Sequence, residues 1–234
     1  MTAGPDDAAR LPLPADLDRL LHDLRGPLNS AAIHLEIVRR SGLDEPVAKQ
    51  SLETIAQELG RLARMLPAAF TVLALEPTHW SVVDLEATVR EALAEPELAE
   101  VVVAPGPWPR LAGDARLLGL AVAHLARNAL EATRAAGPGR PPPHVGWDAG
   151  IGTVSLVVRD WGVGLRSTNP RVAIRLSASD KPGRAGIGLP AVDRIARLHR
   201  GRLELFRPPE GGTEVRLTLP VAQPASVRTG PGSN

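Results

Sequence analysis

An apolar row steps by four and three through Leu17, Leu21, Leu24, Leu28, Ala31, Leu35 and Val38, and Gly26-Pro27 does not break it. That alternation is the seam of a helix packed in a bundle. Proline inside a helix removes a backbone hydrogen bond and costs about 3 kcal/mol, and glycine adds roughly 1 kcal/mol relative to alanine. A helix starting at Pro27 would avoid both costs, but the unbroken rhythm predicts a helix that continues and is kinked there. "RSGLDEP", Arg40 to Pro46, carries stop signals. A second row follows at Leu52, Ile55, Leu59, Leu62 and Leu66. Two helices joined by a short turn have too little core to stand alone, so a homodimeric four-helix bundle is expected through residues 15–72.

Pro67 and Pro77 bracket the expected exit from the hairpin, and beyond Thr78 the texture changes. "SVVDLEATVREALAE" reads as a short strand and a helix, "ELAEVVVAP" as a strand, and "GDARLLGLAVAHLARNALEATRAAG" as a long apolar helix. "HVGWDAG" and "IGTVSLVVRD" read as a strand pair, "GLPAVDRIARLHRG" as a helix, and "GRLELFRPP" and "GGTEVRLTLP" as two final strands. The fold class expected is α+β multidomain: a helical hairpin, then an α/β sandwich over residues 78–222. A flexible N-terminus, residues 1–14, and a disordered tail, residues 223–234, complete the division.

Composition narrows the chemistry. Among 234 residues there is no cysteine, which excludes disulfides, thiolate metal sites and cysteine nucleophiles. A net charge of +1 gives no reason to expect nucleic acid. No stretch approaches the ~20 apolar residues of a membrane span, and MTAGPDDAAR lacks the pattern of a signal peptide. A cytoplasmic chain is expected.

Four constellations carry chemistry. In "LLHDLRGPLNS", His22 lies off the seam, and Asp23 beside it can fix one ring nitrogen while the other stays free to attack. Read alone, the pair also fits a solvated surface contact. In "HLARNALEAT", Asn128 can offer an amide oxygen to a Mg²⁺ ion carrying nucleotide phosphates, with His124 one turn earlier. Both side chains also fit ordinary helix-face hydrogen bonding. In "RDWGVGL", Asp160 can accept from an exocyclic amine such as adenine's, and Gly162 and Gly164 let backbone approach the base. A turn after an edge strand is the alternative. In "KPGRAGIGLP", Gly183, Gly186 and Gly188 open a helix, a setting that suits phosphate oxygens.

The order of these motifs resembles bacterial two-component sensor histidine kinases over roughly residues 15 to 222. "HDLRGPLN" is similar to the family's phosphoacceptor box, "HLARNALEAT" to its N box, "DWGVGL" to its G1 box and "KPGRAGIGL" to its G2 box. Gly113-Asp114, "LHRG" and "GGTEVRLTLP" also sit where the family has similar residues. The catalytic half resembles the wider ATP-binding fold shared with gyrase and MutL.

The resemblance implies roles. His22 would take the γ-phosphoryl group of ATP, with Asp23 orienting it. Asn128 would hold Mg²⁺, and Asp160 would read the adenine amine. Gly162, Gly164, Gly186 and Gly188 would shape the ATP site, with Lys181 meeting phosphates. The phosphoryl group would pass to an aspartate of a response-regulator receiver domain. The alternative is a phosphotransfer or scaffold protein with a degenerate ATP domain. His124 stands where the family usually has a first Asn, Ala185 where Thr is common, and the lid from Arg166 to Ala185 has no Phe. Gly26, four residues after His22, leads us to expect weak phosphatase activity. With no sensory segment before His22, input would come from a separate sensor protein, from the short N-terminus, or not at all.

Overall fold

Two antiparallel helices, α1 (Ala15–Arg40) and α2 (Pro46–Leu73), are aligned by residue pairs such as His34 with Ser51, whose Nδ1 and Oγ atoms lie 3.2 Å apart. The computed structural model describes residues 15–41, 45–165, 168–169, 174 and 187–221. The expectations for Gly183, Lys181, Gly186, most of the lid and both chain ends lie outside them. The chain divides into two units: among the described residues the first holds 15–41, 45–74 and 187, and the second the remainder from 75 on. Among the described residues, no helix is long and apolar enough to cross a membrane.

In the first unit the expected seam proves to be two rows. Toward α2, α1 presents Leu20, Leu24, Pro27, Ala31, His34 and Val38, of which Leu20 and Pro27 are buried. Toward α1, α2 presents Ala48, Ser51, Ile55, Glu58, Leu62, Met65, Ala69 and Val72, again in steps of three and four. Leu20, Met65, Ala68 and Ala69 form its buried cluster. Leu21, Leu28 and Leu35 stand outside this seam, 45–53% exposed, and so do Leu52, Leu59 and Leu66. Each of these outer rows repeats every seven residues.

α1 runs through Pro27 without interruption, as its rhythm predicts. Pro67 lies inside α2, which continues through it to Leu73, so the helix ends between the two prolines that bracket the expected exit. Burial of Met65, Ala68, Ala69 and Val72 on either side outweighs the one lost backbone bond.

The second unit is a two-layer α/β sandwich. β1 (Ser81–Asp84) pairs antiparallel with β3 (Arg110–Gly113). The main sheet has the order β2–β4–β5–β7–β6, formed by β2 (Val102–Val103), β4 (His144–Gly150), β5 (Thr153–Arg159), β7 (Glu214–Pro220) and β6 (Arg202–Phe206). Only β2 and β4 are parallel. Among the described residues its α-helices are α3 (Leu85–Ala92), α4 (Ala115–Ala135) and α5 (Gly188–Leu198).

The strand expected over "ELAEVVVAP" shrinks to Val102–Val103. Pro96 opens a 3₁₀ turn over Pro96–Leu98 instead, and Leu98 is 1% exposed in the core. β3 has no counterpart in the sequence reading, since its four residues follow a Pro-rich stretch and carry no alternation. Sheet register sorts the side chains into two faces. Trp147, Leu156, Leu217 and Leu203 are aligned across four strands and pack into the core. On the opposite face Arg216 pairs with Asp148 at 2.9 Å and with Glu214 at 2.6 Å, and Ser155 bonds Thr218 at 2.9 Å.

Candidate functional site

β5 ends at Arg159, and Asp160 follows at the sheet's rim, 6% exposed. Its Oδ1 accepts two backbone N–H groups, from Gly162 at 2.8 Å and Thr213 at 3.0 Å. Its own N–H donates to the Thr213 carbonyl at 2.9 Å. Oδ2 has no partner among the described residues. A carboxylate with one oxygen held by two N–H groups and the other without a partner among the described residues can accept one further donor.

Glycine fits here for a reason different from the one expected. A Cβ at Gly162 would meet not a ligand but the backbone of α4 at Ala132. One at Gly212, where φ is +69°, would strike the Asp160 carbonyl oxygen. Gly164 has a φ of +80° and lies 3.0 Å, by the same measure, from the Gly212 carbonyl. The loop after β5, α4 and the turn before β7 therefore meet backbone to backbone.

Arg159 locks this junction, donating to the carbonyl oxygens of Asp160 and Gly211 while lying 4.5 Å over the Trp161 ring. The Trp161 N–H donates to Thr133 Oγ1 on α4 at 3.1 Å. Thr133, Thr213 and Gly212 were missed as site residues. Their signals are the Thr that closes "HLARNALEAT" and the Gly-Gly-Thr that opens the last strand.

α4 carries Asn128. The helix forms because Leu117, Ala121, Leu125 and Ala129 bury one stripe and Asp114 caps its start, accepting from the Leu117 N–H at 3.1 Å. Asn128 lies away from that buried stripe. It is exposed, and a Cβ on Gly188, the first residue of α5, would lie 3.2 Å from its Nδ2. Asp160, Gly162, Gly164, Asn128 and Gly188 are thus gathered in one unit.

His124 is half-buried one turn before Asn128. Burial, helped by the neighbouring Arg127 charge, holds its pKa below the usual histidine value, so the imidazole is neutral at pH 7.

In the first unit, His22 and Asp23 adjoin on α1. The His22 side chain is 64% exposed, that of Asp23 5% exposed, and Nδ1 lies 3.5 Å from Asp23 Oδ1. The expectation that His22 points off the seam toward solvent describes this placement. His34 is a seam residue bonded to Ser51.

Residues 113–223 match the family described as "Histidine kinase-, DNA gyrase B-, and HSP90-like ATPase". The chain is 30% identical over 228 residues to the sensor histidine kinase MtrB of Mycobacterium tuberculosis, with 90% of this chain and 39% of that protein covered. It is 26% identical over 216 residues to the sensor-like histidine kinase SenX3 of Mycolicibacterium smegmatis, covering 85% of this chain and 55% of the relative. The chain therefore spans about two-fifths of the length of MtrB. Among solved structures, full-length ShkA in complex with AMPPNP aligns with a TM-score of 0.53 at 23% identity, covering 91% of this chain and 47% of that one.

Proposed function

We propose that this chain, whose residues 113–223 match the histidine kinase-, DNA gyrase B- and HSP90-like ATPase family, uses ATP to phosphorylate its own His22 and passes the phosphoryl group to an aspartate of a response-regulator receiver domain. The observation that carries this reading is the Asp160 carboxylate. Oδ1 is held by Gly162 and Thr213, leaving Oδ2 to accept the exocyclic amine of adenine.

Asn128 suits Mg²⁺ borne on nucleotide phosphates. It offers one exposed amide oxygen, and among the described residues no group of three His, Asp or Glu side chains forms a closed cage. Bound there, the ion would neutralise phosphate charge. Asn128 would hold it, Gly188 would leave room beside that amide, and Asp160 would orient the base.

The acceptor side follows from α1. Asp23 favours the proton on Nδ1 of His22 and leaves the Nε2 lone pair directed to solvent. Nε2 attacks the γ-phosphorus, an N–P bond forms, and the bond to the bridging oxygen breaks with its electron pair leaving on ADP. An aspartate oxygen of the receiver domain then displaces the imidazole. The exposed rows Leu21, Leu28, Leu35 and Leu52, Leu59, Leu66 support a homodimer closing a four-helix bundle.

Incubation with Mg²⁺ and γ-labelled ATP, with His22→Ala alongside, tests the reading. The expected label is acid-labile, base-stable and absent from the variant. A folded, dimeric chain that binds no nucleotide and takes no label would instead be a phosphotransfer or scaffold protein.

A further inference from the structure

Resting on that reading, we propose that Asp114 and His199 are positioning residues that fasten the connecting segment, residues 75–80, to the start of α4 and the end of α5. Asp114 is 1% exposed, and its two oxygens serve different masters. Oδ1 caps α4 through the Leu117 N–H. Oδ2 accepts from the backbone N–H of Thr78 at 2.7 Å, from that of His79 at 3.2 Å and from the Thr78 hydroxyl at 3.3 Å.

His199, 2% exposed, ties the same point to α5. Its Nε2 accepts the Asp114 backbone N–H at 3.0 Å while its Nδ1 donates to the Ile195 carbonyl at 2.8 Å. The Trp80 ring stacks on it, centroids 5.0 Å apart. Two guanidinium groups complete the fastening: Arg194 of α5 donates to the Leu75 carbonyl at 3.1 Å, and Arg116 of α4 to the Glu76 carbonyl at 2.9 Å. Every residue from Leu75 to Trp80 except Pro77 makes one of these contacts.

The consequence lies in the chain path. α2 ends at Leu73, so Ala74 alone separates it from the first fastened residue. A flexible linker would absorb movement of α2. This one delivers it to the N-terminal end of α4, the helix that bears Asn128 about 20 Å further along at 1.5 Å per residue. Polar, directional bonds to a buried carboxylate resist that displacement, because a shifted N–H leaves the carboxylate unmet. The clamp thus couples the phosphoacceptor hairpin to the nucleotide helix.

The test uses the full chain and two variants. Asp114→Ala removes the clamp together with the helix cap. Thr78→Pro removes the 2.7 Å bond and leaves Asp114 and the cap in place. Amide exchange at His79, whose N–H shares Asp114 Oδ2 with Thr78, should accelerate about tenfold in Thr78→Pro. Its affinity for a non-hydrolysable ATP analogue should stay within about threefold of wild type while the rate of His22 labelling falls at least about tenfold.

Labelling at the wild-type rate with exchange accelerated would overturn the positioning role. Unchanged exchange in both variants would overturn the clamp itself. A wild-type chain that binds no ATP analogue would overturn the histidine kinase reading, and the exchange measurement, which needs no nucleotide, separates that failure from failure of the clamp.

Discussion

A Cβ placed on Gly162 would stand 2.7 Å from the carbonyl oxygen of Ala132. The loop that follows Asp160 thus lies directly on the backbone of α4, with no side chain between them. Gly162→Ala must push the loop away from α4 and draw the Gly162 N–H off Asp160 Oδ1. We expect a loss of about 1–3 kcal/mol in stability by urea denaturation. Binding of a fluorescent ATP analogue should fall by more than that stability loss explains. A variant with wild-type stability would show that the contact is not tight.

Asp160→Asn separates folding from recognition. The amide oxygen can still accept from Gly162 and Thr213, so the junction survives. Its NH₂ then occupies the Oδ2 position and opposes the adenine amine, donor against donor. Adenine nucleotide affinity should drop about 10²-fold or more, on the order of 3 kcal/mol, with thermal unfolding of the free protein little changed. Calorimetric titration would check it, and retained ATP affinity would remove Asp160 from the base-reading role.

His199 and Asp114 make stability depend on pH in a defined direction. Burial holds the His199 pKa below its ordinary 6.5, outweighing the bond to Ile195 and the Asp114 charge, which raise it. The unfolded chain therefore binds more protons than the folded one below about pH 6.5, and stability falls as pH falls through that window. For Asp114, burial acts upward, but the N–H groups of Thr78, Leu117 and His79 and the Arg116 charge prevail and hold the pKa at about 2. Its contribution, roughly 2 kcal/mol, is intact above the unfolded value of 3.8 and is lost as pH falls through about 2. Urea midpoints should rise between about pH 5 and pH 7.5, and less steeply in His199→Gln. A flat profile in the wild-type chain would contradict this assignment.

Leu28 and Leu59 are 53% and 54% exposed in a single chain. Replacing both by Glu places charge on the outer rows while leaving the seam of Leu20, Leu62 and Met65 untouched. Sedimentation should show a wild-type dimer and a variant monomer, with helical circular dichroism retained in the monomer at concentrations where it is folded. A variant that remains dimeric would place the interface elsewhere.

Much of the site was legible because its chemistry is local. Asp160, Gly162 and Gly164 fall within five residues, and Gly188 opens α5 as its motif implied. The second partner of Asp160 was not legible, because the Thr213 N–H lies 53 positions away and reaches the carboxylate only when β7 pairs with β5. Nor was the role of His199 legible, because its bond to Asp114 spans 85 positions. β3 was invisible because four residues without alternation acquire a strand only by pairing with β1.

The hairpin shows the division most clearly. Periodicity by itself determined that the stretches 17–38 and 52–66 lie in apolar-striped helices, and that Pro27 lies inside the first, since a 3.6-residue repeat is a property of one chain segment. Which leucines are buried was decided by tertiary structure. An apolar face wider than 100° holds two rows, and a helix cannot say which row its neighbour will cover. That depends on the register set by pairs such as His34 with Ser51, which turns Leu20 inward and leaves Leu21, one residue and 100° around the helix, half exposed.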